Sequence, residues 1–258
     1  YNMTQRSTYH RRRAQVTILE GPVHQFKPTD IGGCVLWLGP ESLTEIDDGG
    51  AIGLWRDGSG RNNHVSQAIA ASRPTCRVVN INGKTSKVVR FDGVDDYLSG
   101  GDIIEPPQIT MFAVAMSTNI AQTRVLVGKG NGGSYLQSYT LANVGGKARS
   151  SISKAGPTDV PADSSATLSN STFLIYTGRY DQLNVESRVN GVGLVQVAET
   201  AAIMYSTEPF AVGILGDLTS FSWNGDIVEI ILYGEALNGG QRVVVEQYLS
   251  QKYPIMLV

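Results

Sequence analysis

Cysteine is nearly missing from this chain of 258 residues: only Cys34 and Cys76 occur. Two thiols are too few for a disulfide framework and are not spaced as a metal site, so both read as buried free thiols. Histidine is scarce as well. His10, His24 and His64 stand apart in polar segments, which argues against a paired-histidine metal site, and with no Gly-x-Ser-x-Gly elbow a nucleophilic triad has no visible parts. No apolar run approaches the ~18 residues that a membrane-crossing helix needs, and Tyr1-Asn2-Met3-Thr4 has none of the apolar core of a secretory signal. Charged residues make up 17% of the chain and sum to -2, so the chain as a whole does not read as a nucleic-acid binder.

What is present points to β structure. Hydrophobic residues reach 41%, enough for a large core in one main domain. The 29 glycines exceed the ~7% of ordinary proteins and suit many short strands joined by tight turns. Charge is unevenly placed: residues 1–30 hold five Lys or Arg and two Asp or Glu, which leaves -5 on the rest. This segment, with Arg6, Arg11, Arg12 and Arg13 and little apolar surface, reads as an extended basic arm before a body at residues 31–258. Residues 1–27 are expected to lie on a partner, another copy of the body or a different structural protein, through arginine–carboxylate pairs; a solvated tail or linker is the plainer reading.

The stretch from Val88 to Leu98 is the centre of the pattern. Val88, Val89 and Phe91 run into the turn pair Asp92-Gly93, so a hairpin is expected there, with Asp95, Asp96 and Tyr97 at its mouth. Strands are also expected at Ile31 to Leu38, where Trp37 reads as core, at Ile109 to Met116 and at Arg124 to Val127. Asp57-Gly58-Ser59-Gly60 predicts an Asx-type turn. Gly128 to Gly133 lacks the Lys-Ser/Thr ending of a phosphate loop and reads as a flexible turn. Ser134 to Tyr139 alternates, which would put Tyr135 and Tyr139 on one sheet face, and residues 153–171 read as a long surface loop. A hairpin at Phe173 to Gly191, a strand at Phe210 to Gly213 and a central strand at Trp223 to Tyr233, apolar on both faces, complete the set. Asn238 with Gln241 forms a capping-box pattern, and Val244, Val245, Tyr248 and Leu249 share one helical face up to Pro254.

Cys34-Val35-Leu36-Trp37-Leu38, Trp55-Arg56-Asp57-Gly58-Ser59-Gly60-Arg61-Asn62-Asn63, Gln67, Pro74, Asn82-Gly83, Val89 to Leu98 and the Gly225 to Tyr253 ending occur in an order that resembles concanavalin A-like, laminin-G-type jelly-roll domains. The resemblance spans about residues 30–255. It implies an all-β, two-sheet antiparallel jelly-roll sandwich with a short C-terminal helix, of a kind found in virion surface proteins such as phage decoration or tail proteins and in secreted bacterial assemblies. It also implies a lectin-like, non-catalytic module, in an oligomer or larger assembly, that binds glycans or a host surface and does not insert into membranes.

The alternative is a secreted polysaccharide hydrolase or lyase. Sandwich glycosidases alternate carboxylates along one strand so that two flank the scissile bond about 5 Å apart. The nearest stretch, Glu45-Ile46-Asp47-Asp48, lies among turn residues, and Glu229 stands alone with Asp226 expected on the opposite face. A lyase using tyrosine with arginine or histidine would leave no short motif. Ligand-stacking candidates are Tyr97, Tyr135, Tyr139 and Trp223, with core packing as the competing reading of the tyrosines. Asp92, Asp95 and Asp96 are candidate Ca2+ ligands, and a turn cap flanked by solvated carboxylates is the competing reading.

Overall fold

The structure, a computed structural model, describes residues 25–132, 136–156 and 158–258. In chain order the strands are β1 (Cys34–Leu38), β2 (Leu54–Trp55), β3 (Val65–Ser66), β4 (Thr75–Ile81), β5 (Lys84–Asp92), β6 (Leu98–Gly101), β7 (Ile109–Ser117) and β8 (Arg124–Asn131). They continue with β9 (Leu136–Val144), β10 (Lys147–Lys154), β11 (Thr158–Asp163), β12 (Leu174–Tyr180), β13 (Asn184–Val189), β14 (Val192–Ala198), β15 (Phe210–Val212) and β16 (Asn224–Tyr233), and helix α1 (Gly239–Lys252) closes the fold. The first sheet runs β14-β13-β12-β7-β16-β5-β4, with β1 also on β16, and the second runs β11-β10-β9-β8-β15-β6-β3-β2. These pairings are antiparallel, and the two sheets form the expected sandwich.

Alternation sends Val89, Phe91, Met111, Ala113, Tyr176, Ile227 and Ile230 inward to meet Tyr139, Leu141, Ile152, Phe210 and Val212 of the second sheet. The opposite face of the first sheet is apolar too. Val88, Phe112, Val114, Ile175, Val228 and Ile231 pack there with Val245 and Leu249 of α1. This second buried layer explains why β16 is apolar on both faces.

Several local signals shape these elements. Asn82 (φ 49°) and Gly83 (φ 95°) are both left-handed and join β4 to β5 as a type I′ hairpin. The Asn238 side chain accepts from the Gln241 amide while the Gln241 side chain accepts from the Asn238 amide, both at 3.0 Å. The Asp57 carboxylate accepts from the Ser59 and Asn63 amides of its own loop and from the Trp37 amide, which anchors the loop to β1. Cys34 and Cys76 are buried and unpaired.

Other expectations are corrected. Asp92-Gly93 does not make a hairpin: β5 pairs with β4 and β16 in the first sheet, whereas β6 pairs with β15 and β3 in the second, so the corner carries the chain between sheets. Gly93 is left-handed (φ 81°), and a Cβ there would come within 2.6 Å of the Asn224 Cβ. Gly128, Lys129 and Gly130 belong to β8 rather than to a turn, with the Lys129 ammonium fully buried against Asp102 and the Glu208 carbonyl. Residues 153–171 contain β11, whose Val160 and Ala162 enter the core; Pro161 is tolerated because β11 is an edge strand. Strands β4 and β14 are not among the strands expected, although Val78, Val79 and Ile81 in the first and Leu194, Val195 and Val197 in the second are strand-forming residues.

On α1 the buried face is Val245, Glu246 and Leu249, while Val244 is 42% exposed. Glu246 can be buried because Arg188 meets it with two bonds of 2.8 Å and Thr177 with one of 2.7 Å. A register shift in β16 between Ile227 and Glu229 turns Glu229 to the same outer face as Asp226, which pairs with Arg90, instead of the opposite one. Trp37 is half-buried on that face and donates its indole N–H to Glu229 at 2.6 Å. Tyr248 and Tyr253 donate hydroxyls to the same carboxylate, and the Lys252 ammonium lies 2.8 Å from it. Burial and then the Glu229 charge push both tyrosine hydroxyls far above their ordinary pKa.

Phe26 packs edge-on against Tyr248 with ring centroids 5.4 Å apart, so this residue at the end of the arm touches its own body. Arg6, Arg11, Arg12 and Arg13 lie outside the described residues. Glu229→Ala should lower the unfolding free energy by about 3–5 kcal/mol, since it leaves buried donors unpaired. Urea denaturation followed by tryptophan fluorescence measures this, and a loss below ~1 kcal/mol would show that the buried charge is replaceable.

Candidate functional site

With α1 over the first sheet, no helix of the described residues lies on the outer face of the second, where a groove of ≈ 190 Å³ opens. The register aligns its floor: Val125 faces Ala142, Ala142 faces Arg149, Thr140 faces Ser151, and Arg149 faces Asp163. Because Tyr139, Leu141, Ala148, Ile152, Val160 and Ala162 point into the core, the alternate residues Thr140, Ala142, Arg149 and Asp159 point to the other side and line the groove.

Phe221 forms the rim. It sits in the connection between β15 and β16, is 38% exposed, and has φ 61°, a conformation rare for a bulky side chain. The carbonyl of Phe221 accepts from the Val125 amide at 2.9 Å. Asp217 braces the loop by accepting from the amides of Thr219, Ser220 and Gly132. Although burial pushes the Asp217 carboxyl up, these donors hold it below the usual range.

The polar groups of the groove differ in what they have left to offer. Arg149 meets Asp163 with two bonds, Nε at 2.6 Å and Nη2 at 2.7 Å, and the bonds raise the guanidinium pKa. Thr140 and Ser151 share a hydrogen bond of 2.8 Å. Asp159 is different: its Oδ1 is buried with no hydrogen-bond donor among the described residues. Burial holds the Asp159 carboxyl above the ordinary range, in spite of the nearby Ser151 hydroxyl and Arg149 charge. The groove therefore offers a ring face, the exposed Thr123 hydroxyl and one acceptor in need of a donor.

The residues singled out from sequence fall elsewhere. Tyr139 and Trp223 are fully buried, Tyr139 bonding the Ile104 carbonyl at 2.9 Å and Trp223 packing edge-on against Tyr176, so neither presents a face to a ligand. Tyr135 lies outside the described residues, and Tyr97 is half-buried beside the acidic corner. Asp92, Asp95 and Asp96 do come together, with carboxylate oxygens within 4.8 Å of one another. Each also serves the turn: Asp92 accepts from the Val94 amide at 2.8 Å, Asp96 from the Asp92 amide at 3.0 Å, and Asp95 from the Ser72 hydroxyl at 2.9 Å. Burial and then the Asp92 charge raise the Asp96 pKa to about 6.

Arg149, Asp159, Asp163 and Phe221 were not found from sequence. The alternation of Arg149 and Ser151 about Ser150, and of Asp159 and Asp163 about Val160 and Ala162, is the signal that could have placed three of them on one face. Phe221 left none, because its position depends on a long-range bond to Val125.

No family model and no curated protein matches the chain. Solved structures do resemble it. The binding domain of Paraclostridial Mosquitocidal Protein 1 superposes with a TM-score of 0.57 at 15% identity, over 87% of this chain and 53% of that one. Trypanosoma rangeli sialidase gives 0.54 at 16% identity, over 86% of this chain and 33% of that one. Botulinum neurotoxin type C, whose cell entry is dependent upon interaction with two ganglioside molecules, gives 0.51 at 12% identity, over 86% of this chain and 52% of that one. The chain thus spans about half the length of the two toxin structures and a third of the sialidase, and at these identities the likeness is one of fold: a two-sheet antiparallel β-sandwich.

Proposed function

We propose that this chain is a non-catalytic glycan-binding module. The observation that carries the reading is the groove on the second sheet, where the partly exposed Phe221 ring stands with Val125, Ala142 and Val144 beside the polar Thr123, Arg149 and Asp159, the combination of apolar contact face and fixed hydrogen-bonding groups that a sugar ring needs. A structural neighbour that depends on gangliosides supports the same reading. The non-catalytic part rests on the state of the carboxylates. Asp163 is committed to Arg149, so Asp159 lacks a second free carboxylate in the groove with which to flank a glycosidic bond. A glycan array should give binding, and a polysaccharide panel no release of reducing ends or unsaturated products. Release would favour the hydrolase or lyase. Phe221→Ala should weaken glycan binding about tenfold, as loss of a stacked ring implies.

The proposed setting is a virion surface or a secreted bacterial assembly, supported by the ordered motifs shared with laminin-G-type domains. In that setting the basic arm is an assembly contact. Removing residues 1–24, short of Phe26, should leave a body with an unchanged melting transition that no longer oligomerises in light scattering; an unaltered oligomeric state would overturn the assembly role.

A Ca2+ ion at the acidic corner is a second proposal, favoured by the fit of the donors. Two oxygens on one Ca2+ can be at most about 5 Å apart, and those of Asp92, Asp95 and Asp96 satisfy this. Here the ion would neutralise the carboxylates that Asp96 burial makes costly. The raised Asp96 pKa sets the sign: without the ion, this group's contribution to stability falls as pH rises from about 4 toward about 6. Added Ca2+ should raise the melting midpoint at pH 7.5, and the rise should vanish as pH falls through about 6. Calorimetry that finds no Ca2+ effect at pH 7.5 would leave the corner as a turn cap.

A further inference from the structure

We infer that the groove on the second sheet selects uncharged, hydroxyl-rich glycans and excludes those bearing a carboxylate. The inference rests on the glycan-binding reading and adds the ligand class. Arg149 is the cation that would be expected to receive a sialic or uronic acid, but Asp163 already occupies its Nε and Nη2 through paired bonds of 2.6 and 2.7 Å. The lining itself carries one cation, Arg149, and one anion, Asp159, and Asp163 beside it is the second carboxylate on the same guanidinium, so no positive charge is left over for an acidic ligand. An incoming carboxylate would find the paired Nε and Nη2 edge of Arg149 taken, with only Nη1 left to it, and would approach Asp159 with like charge in a partly buried place where repulsion is poorly screened.

The second half of the argument is the need of Asp159. Its Oδ1 is buried without a donor among the described residues, and a buried acceptor left unpaired is costly to the free protein. A sugar hydroxyl is a donor of suitable size and carries no charge. Thr140 and Ser151 satisfy each other at 2.8 Å and are almost fully buried, so they back the floor without needing a ligand, while the exposed Thr123 lends the groove a hydroxyl. Above them Phe221 supplies a ring against which the C–H face of a pyranose can stack. Every component therefore favours a neutral ring with hydroxyls.

The test uses the full chain on an array of matched pairs: lactose, N-acetyllactosamine and cellobiose, each beside a sialylated or uronate-bearing counterpart. The expected result is binding to a neutral member at least about tenfold tighter than to its acidic counterpart. Asp159→Asn should weaken neutral binding about tenfold by removing the charged acceptor. Asp163→Asn should release Arg149, and the acidic-to-neutral affinity ratio should rise by about tenfold; melting curves of both variants report that the sandwich is intact. Tighter binding of the acidic member by the unaltered protein would overturn this inference while keeping the glycan reading. Unchanged ratios in both variants would overturn it as well. Binding to no glycan of either class would overturn the reading beneath it.

Discussion

The carboxylate of Glu229 lies fully buried on the outer face of the central strand, and a charge in that position must be met by donors from every side. Trp37 of β1 meets it from one side, and Tyr248, Lys252 and Tyr253 meet it from the C-terminal helix and its end. The need fixes three placements together. Strand β1 must run beside the second half of β16, the helix must cross the first sheet, and the register shift after Ile227 must turn Glu229 outward. Lys252 also lies 5.1 to 5.8 Å from the ring centres of Trp37, Tyr248 and Tyr253, so the cation that balances the charge is held by the same aromatic groups.

That arrangement determines which surface is left. The first sheet has apolar side chains on both faces and needs the helix to cover the outer one, with Glu246 paired to Arg188 and Glu186 to Arg179 along the junction. The second sheet has a mixed outer face, where Val125, Ala142 and Val144 pack with Leu215 of the connection into β16 in a small apolar patch. Next to that patch Arg149, Asp159 and Asp163 point outward, which leaves a groove instead of a continuous second layer. The rim is placed by the connection into β16, the strand that carries Glu229, so groove and helix anchor are built from adjoining parts of the chain.

Turns were the most legible feature of the sequence, because a turn is decided by the residues in it. Asn82-Gly83, Asn190-Gly191 and the loop of Asp57 need only left-handed backbone or side-chain to amide bonds, which those residue types supply wherever they stand. The capping pair Asn238 and Gln241 is local in the same way. Strand β16 announced its central position by being apolar on both faces. Asp92-Gly93 shows the limit of such reading. The left-handed Gly93 is where a turn residue should be, yet the next strand, β6, pairs in the other sheet, because Leu98 finds its neighbours more than a hundred residues away, in β15.

By itself, then, the sequence determined the fold class, the helix with its cap, the tight turns, the free buried cysteines and the clustering of Asp92, Asp95 and Asp96, all of which depend on residues close in the chain or on composition. Tertiary structure alone decided which tyrosines and tryptophans are core, since Tyr139 and Trp223 differ from an exposed ring only in what the opposite sheet lays over them. It also decided the groove. Arg149, Asp163 and Asp159 come from the β10–β11 pair and Phe221 from a loop some sixty residues later, and only the pairing of the second sheet and the bond from Val125 to Phe221 bring them to one face. The physical reason is that burial and charge pairing are properties of neighbours in space, and in a two-sheet antiparallel sandwich most neighbours in space are distant in sequence.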